Sequence, residues 1–169
     1  ATSGGELLKF VKKNKVNIFR IPVHSKNPLV ILFNTLLMIF FIIIKKINIV
    51  HARSRAPAWS CYIACLLTNT IFVTTFHGTY NFKNKLKKFY NSVMLRSNLT
   101  IAGSNFIFSH INENYNEYLN KKKKLRVIFR GINIDYFNQK NISILKQEKL
   151  KAEWLLKPNN FTILMPGRL

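Results

Sequence analysis

Acidic residues are scarce in this sequence: its 169 residues include 6 Asp and Glu against 27 Lys and Arg, a formal net charge of +21. Glycine, proline and cysteine are also few, at 6, 5 and 2 residues. These numbers exclude collagen-like, low-complexity and disulfide-scaffold proteins. Apolar residues make up 48% of the chain, which is typical of a globular protein, and the length suits about one domain with its own core.

The two cysteines, Cys61 and Cys65, lie four residues apart and have no cluster of cysteine or histidine around them. Such a pair makes neither a zinc site nor a disulfide framework. We therefore expect two buried thiols in a reducing compartment. This expectation favours a cytoplasmic location.

The excess of positive charge has three interpretations. Lysine and arginine neutralise the phosphates of nucleic acids, they are attracted to anionic lipid headgroups, or they simply cover a solvated surface in a sequence rich in residues with A/T-rich codons. The sequence contains no paired zinc ligands, no basic-region heptads and no aromatic RNA-binding strand. Attraction to an anionic membrane surface is therefore favoured over specific binding of nucleic acid.

A long apolar run, LVILFNTLLMIFFIII at 29–44, is interrupted only by Asn34 and Thr35. As a helix it would span about 24 Å, less than the roughly 30 Å of a membrane's hydrocarbon core. Pro28 suits the first helical position, and the lysines at 45 and 46 suit the end of the helix. We predict a helix packed on a sheet, with an apolar side left over for a membrane or a partner.

Short apolar segments alternate with helical ones along the chain. We predict strands at 16–23, 47–51, 71–76, 99–102, 125–129 and 161–165. We predict further helices at 57–68, 85–95, 105–119 and 143–156, with Ser104 as the N-cap of the third of these. This alternation indicates an α/β protein with a Rossmann-like parallel sheet and helices on both faces.

The residues that directly follow the predicted strands are the informative ones, because open parallel sheets bind ligands at the carboxyl ends of their strands. The segments at these positions are 24–26, 52–55, 77–80, 103–104, 130–131 and 167–168. They contain several arginines and histidines and no carboxylate. A site of this composition suits a ligand that carries phosphate, and it argues against a metal held by acidic residues.

Four ordered motifs are HARSRAPAW at 51–59, VTTFHGTY at 73–80, VIFRGINIDYF at 127–137 and MPGRL at 165–169. Together they resemble glycosyltransferase family 4, and within it the branch concerned with lipopolysaccharide and other cell-envelope sugars. The resemblance implies a GT-B fold, in which two Rossmann-like domains face each other across a cleft. It also implies transfer of a sugar from a nucleotide-sugar donor, with retention and with neither a metal nor a cofactor.

On this resemblance the chain is the N-terminal half of a GT-B fold, truncated at both ends. Residues 1–140 correspond to an incomplete acceptor-side domain, 141–160 to a helix and linker toward the hinge, and 161–169 to the first strand of the donor-side domain. We expect this fragment alone to be inactive. The implied partners are a nucleotide sugar and a glycan or lipid-linked acceptor, with peripheral contact of the protein at the inner face of the cytoplasmic membrane.

The resemblance also assigns individual residues. His77 is the candidate catalytic residue, because the matching histidine faces the donor sugar and its phosphates. Arg168 and Gly167 match the Gly-Arg turn that contacts the donor diphosphate, a role for which a bidentate guanidinium is suited. The candidate acceptor or cleft residues are Arg53, Arg55, Gly78, Thr79, Arg130 and Gly131, and His24 and Lys26 lie in a comparable loop. Gly131 would permit a close backbone approach or a positive φ.

Each of these residues also has a plain structural interpretation. His77 would then be an ordinary histidine at a strand end, Arg53 and Arg55 parts of a solvated turn, and Arg168 a surface residue. The corresponding alternative for the whole chain is a basic α/β module without catalytic function that binds an anionic membrane surface or nucleic acid.

Overall fold

The computed structural model describes residues 11, 14, 16–119, 124–157 and 161–165. The chain divides into two compact units, Ala1–Phe129 and Arg130–Leu169. Gly167 and Arg168, the predicted diphosphate-binding residues, lie outside the described residues.

The first unit is built on a four-stranded parallel sheet in the order β1-β2-β3-β4. Its strands are β1 (Ile49–Ala52), β2 (Ile71–Phe76), β3 (Leu99–Ala102) and β4 (Lys124–Val127). Its helices are α1 (Pro28–Ile44), α2 (Arg55–Thr68), α3 (Lys85–Asn91) and α4 (Asn105–Tyr115). Short 3-10 turns, Ser92–Leu95 and Asn116–Tyr118, follow α3 and α4. This architecture confirms the predicted parallel α/β class.

The core lies against one face of this sheet. Alternate residues of the strands are buried there, among them Val50, Phe72 and Ala102, and the helical side is filled by Val93, Met94 and Ile111. Ile49 and Ile71, which alternate with the buried positions, remain exposed. Cys61 and Cys65 are buried, free thiols of α2, as predicted. Burial raises the pKa of Cys61 to about 12, with a further contribution from Cys65, and raises that of Cys65 to about 11.

Helix α1 buries its two polar residues together with Ile42 and exposes most of its other large apolar residues. Pro28 is its first residue, and the Asn27 side chain caps it by accepting from Leu29 N at 2.9 Å. Asn34 and Thr35 are buried, whereas a stripe of large apolar side chains is exposed: Leu29, Leu32, Phe33, Leu36, Phe40, Ile43 and Ile44. The helix packs on α2, where the Ser60 hydroxyl donates to the Ile31 carbonyl at 3.1 Å. The predicted helix is confirmed, but it packs on another helix.

Residues 16–23 do not form the predicted strand. They run as irregular chain along α1, with the Phe19 ring 4.6 Å from that of Phe41. The Pro22 carbonyl accepts a hydrogen bond from Asn34 Nδ2 at 3.0 Å. Pro22 has no N–H group that could hydrogen-bond to a neighbouring strand. The segment is instead held by contacts with side chains of α1.

The second unit carries α5 (Ile144–Glu153), which begins after Ser143, whose hydroxyl accepts from Lys146 N at 3.3 Å. The predicted helix at 143–156 is thus confirmed, although it is shorter. The predicted strand at 161–165 is wrong, since these residues are irregular and Phe161 is 93% exposed. An apolar, β-branched segment becomes a strand only where a neighbouring strand accepts its hydrogen bonds, and none of the described strands pairs with it.

Candidate functional site

Arg53 and His77 meet at the carboxyl edge of the sheet, the edge where β1 to β4 end. Arg53 follows β1 and His77 follows β2, and Arg53 Nε donates a hydrogen bond to His77 Nε2 at 3.0 Å. A guanidinium has only donors, so the histidine must accept at Nε2 and carry its proton on Nδ1. These two residues lie 24 positions apart in the sequence. Both were expected at this edge because each follows a predicted strand.

A second histidine lies next to this pair. His51, on β1, has Nε2 2.8 Å from Thr75 Oγ1 of β2. Burial of its ring and then the positive charge of Arg53 lower the pKa of His51 below its ordinary value of 6.5. The neutral ring is thus favoured, and its contact with Thr75 ties the ends of the two strands together. His51 lies in the quoted HARSRAPAW motif, but it was not predicted as a site residue.

Arg55, the first residue of α2, is fixed by a buried polar network. Its Nη1 donates to Asn91 Oδ1 at 2.7 Å, and its guanidinium lies 4.5 Å from the centre of the Tyr80 ring. Asn91 Nδ2 in turn donates to the Tyr115 hydroxyl at 2.9 Å, and that hydroxyl donates to the Tyr80 carbonyl. One of the five guanidinium N–H groups is used in this network, so Arg55 retains donors for a ligand.

An open cleft of about 920 Å³ lies beside Arg55. It is lined by His24, Lys26, Ser54, Arg55, Ala56, Thr79, Tyr80, Asn81, Leu86, Lys87 and Tyr90. We call it the cationic cleft, because three permanent cations and one imidazole line it and no carboxylate of the described residues does. It also receives the first residues of α2, where Ser54 occupies the N-cap position without a capping hydrogen bond. Helix N-termini and cations both favour anions.

The cleft unites residues that the sequence suggested with residues that it did not. His24, Lys26, Arg55 and Thr79 were singled out because they follow predicted strands. Lys87 and Tyr90 were not predicted, because they lie on α3 and only residues that directly follow strands were considered. The signal that was available for them is Asn84, which caps α3 by accepting from Lys87 N at 2.8 Å and so orients its first turn.

Gly131 does not have the backbone role expected of it. Gly131 has no positive φ, and a Cβ atom built on it would meet no atom within 4 Å, so neither a special conformation nor a close approach requires glycine there. The same holds for Gly78, which links His77 to Thr79 of the cleft. Arg130 and Gly131 open the second unit.

Within the described ranges, no group of three or more His, Cys, Asp or Glu residues could hold a metal ion. The same ranges contain no helix whose length and apolar character would let it cross a membrane. The chemistry that the carboxyl edge offers is therefore that of cations, imidazoles and hydroxyl groups.

Comparison with known proteins agrees with this geometry. The profile of Glycosyltransferase Family 4 matches residues 2–136. The solved structure of a glycosyltransferase from Rickettsia africae ESF-5 is similar, with 44% sequence identity, a TM-score of 0.72 and coverage of 92% of this chain. The chain spans 40% of the length of that protein. A search of curated proteins gives no match. On the strength of the profile and of this relative, the chain belongs to Glycosyltransferase Family 4.

Proposed function

We propose that this chain is the acceptor-side part of a retaining, metal-independent glycosyltransferase. The enzyme would move a sugar from a nucleotide-sugar donor to a cell-envelope glycan or lipid-linked acceptor, as in lipopolysaccharide biosynthesis. The observation that carries the proposal is the cationic cleft beside the Arg53–His77 pair, in a chain of Glycosyltransferase Family 4. Among the described residues no carboxylate lines the cleft, which favours a phosphorylated ligand over a neutral one.

His77 is the proposed catalytic residue. Its hydrogen bond with Arg53 holds the imidazole at the carboxyl edge of the sheet, where we place the reacting sugar and the phosphates of the donor. As the glycosidic bond to the nucleoside diphosphate breaks, negative charge collects on the leaving phosphate. Fixed cations at that point stabilise the transition state, and Arg168 with Gly167 is proposed to supply them from the donor side.

The remaining assignments follow from the family. Residues 1–140 are the proposed acceptor-side domain, 141–160 the connection toward the hinge and 161–169 the start of the donor-side domain. Arg53, Arg55, Gly78 and Thr79 line the acceptor side, and Arg130 and Gly131 shape the cleft between the domains. Because the chain spans 40% of the length of the solved relative, we expect the 169-residue chain alone to be inactive. The nucleotide sugar is a substrate, and no cofactor is invoked.

A chimaera tests this proposal. This chain replaces the matching 40% of the Rickettsia africae glycosyltransferase, and release of nucleoside diphosphate is measured with a panel of nucleotide sugars and a cell-envelope lipid extract as acceptor. The chimaera should release diphosphate and the isolated chain should not. His77→Ala should lower the rate about a hundredfold. His110→Gln is the matched control, on α4, and should leave the rate unchanged.

Equal rates for His77→Ala and His110→Gln would contradict the role of His77. A folded chimaera that releases no diphosphate with any donor, while the parent enzyme does, would contradict the function itself. Circular dichroism of each variant establishes that the protein is folded, and the stereochemistry of the product establishes retention.

A cytoplasmic location with peripheral attachment to the membrane is the second part of the proposal. It is supported by α1, whose apolar stripe is exposed while Lys26 flanks one end and Lys45 and Lys46 flank the other. A helix of this kind lies in the interface of an anionic bilayer. In vesicle sedimentation, Phe33→Glu with Leu36→Glu should release the chain, whereas Ile132→Glu with Ile134→Glu in the second unit should not. If added salt released the chain and neither pair of glutamate substitutions changed its binding, the contact would be general electrostatic attraction and not insertion of α1.

A further inference from the structure

An apolar groove continues the cationic cleft between α1 and α2. It has a volume of about 430 Å³, and its floor and walls are formed by Ile31, Leu32, Trp59, Ile63 and Phe89. Lys26 and Tyr90 line both the groove and the cleft, so the two cavities adjoin each other. A single ligand can therefore occupy both.

The two cavities require opposite chemistry at the two ends of such a ligand. The cleft presents Lys26, Arg55 and Lys87, and neither lysine forms an ion pair with a carboxylate in the described part of the chain. Both lysines are exposed, so the cleft attracts an anionic ligand. The groove is lined mainly by hydrocarbon and aromatic surface, which gains free energy by covering an apolar chain.

The point where the cavities meet is polar. Tyr90 lines both of them, and its hydroxyl is buried without a hydrogen-bond partner among the described residues. Burial raises the pKa of this hydroxyl, so it stays a donor.

The groove also opens toward the exposed side of α1. Leu32 lines the groove and is 56% exposed, so the same side chain belongs to the groove and to the apolar stripe of α1. Where α1 rests on a bilayer, an apolar chain can pass from the lipid into the groove without crossing water. A free nucleotide or a soluble phosphosugar has no part that would use this path.

We propose that the acceptor is a phosphorylated lipid with a single hydrocarbon chain. Its phosphate or diphosphate binds in the cationic cleft against Lys26, Arg55 and Lys87, and the first part of its chain lies in the groove against Trp59 and Ile63. The proposal rests on the proposed function, because it names the acceptor of that same site. It goes further by assigning the head and the tail of the lipid to two separate sets of residues.

Direct binding to the 169-residue chain tests this without any transfer reaction. Trp154→Phe leaves Trp59 as the only tryptophan, so the emission of Trp59 reports occupation of the groove. The chain is titrated with farnesyl phosphate, farnesol and inorganic phosphate. Farnesyl phosphate should change the emission saturably and bind about tenfold or more tightly than farnesol, and inorganic phosphate should leave the emission unchanged.

Variants separate the two ends of the ligand. Lys26→Ala with Lys87→Ala should weaken farnesyl phosphate about tenfold and leave farnesol unaffected. Lys140→Ala with Lys149→Ala removes the same charge from the second unit and should change nothing. Leu32→Gln should weaken both farnesyl compounds, and because this side chain is largely exposed the variant is expected to fold; circular dichroism checks this.

Three results would overturn the inference: equal affinity for farnesol and farnesyl phosphate, equal weakening by the two lysine pairs, or no effect of Leu32→Gln. The titration and the chimaera assay fail independently. Sugar transfer without lipid binding would refute the acceptor assigned here and keep the glycosyltransferase. Lipid binding with no transfer by the folded chimaera would refute the catalytic function and leave a lipid-binding module.

Discussion

The two units of this chain are held together in different ways. In the first unit, buried apolar residues from β1, β2, β3 and the helices form one cluster, against which Leu125 of β4 packs. In the second, none of the described side chains is buried, and α5 relies on its Ser143 cap and on local contacts such as that between Lys151 and Glu148 at 2.8 Å. Tertiary packing therefore stabilises the first unit, whereas local hydrogen bonds stabilise helix α5 of the second.

The largest effect should come from deleting one buried ring. Phe76 is fully buried beside Tyr80 and Tyr115, so Phe76→Ala should lower the free energy of unfolding by about 3–5 kcal/mol. Phe161→Ala also removes a phenyl ring, but from a position that is 93% exposed, so the free energy of unfolding should change by less than about 0.5 kcal/mol. Urea unfolding followed by circular dichroism measures both. Similar losses would mean that the second unit has a core of its own.

An intermediate effect should come from two equivalent helix caps. Ser104 accepts from Ile107 N at 3.2 Å at the start of α4, as Ser143 does for α5. Ser104→Ala should reduce the stability of the first unit by about 1 kcal/mol. Ser143→Ala should speed amide hydrogen exchange in α5 and leave the free energy of unfolding of the first unit unchanged. A common loss of stability in both variants would show that the two units unfold together.

The smallest effect should be one of pH. The pKa of His51 is lowered in the folded chain, so the unfolded chain binds more protons as the pH falls through 6.5, and the free energy of unfolding decreases there. His51→Gln keeps a polar partner for Thr75 and should flatten this part of the pH dependence. Residues 130–169 contain no histidine, so the change belongs to the first unit. An unchanged pH profile in His51→Gln would contradict this assignment.

Where a segment contributes to the core, its structure could be predicted from the sequence. β2 and β3 have the predicted limits, because β-branched runs bounded by polar residues fit a buried parallel sheet. The segments at 16–23 and 161–165 have the same composition and are not strands. The composition of a segment indicates that it can form a β-strand. Whether a neighbouring strand is present to pair with it depends on the whole fold.

The candidate site was predictable to the extent that it is made of strand ends. Arg53 and His77 were expected at one edge and are in contact there. Lys87 and Tyr90 could not be found in this way, because their position depends on how α3 packs. Nor did the apolar run at 29–44 indicate that Asn34 and Thr35 would face inward, since that depends on the surface of α2.

The parallel pairing of β1 with β2 has a consequence for how this edge tolerates change. Arg53 with His77 and His51 with Thr75 are both separated by 24 residues, whereas directly paired residues of β1 and β2, such as His51 and Val73, are separated by 22. Both contacts therefore run diagonally, in the same direction, between the two strands or the residues that follow them. A slip of β1 against β2 by one residue would break both contacts at once and turn every side chain of the strand to the opposite face. Both contacts therefore depend on the same register of β1 against β2.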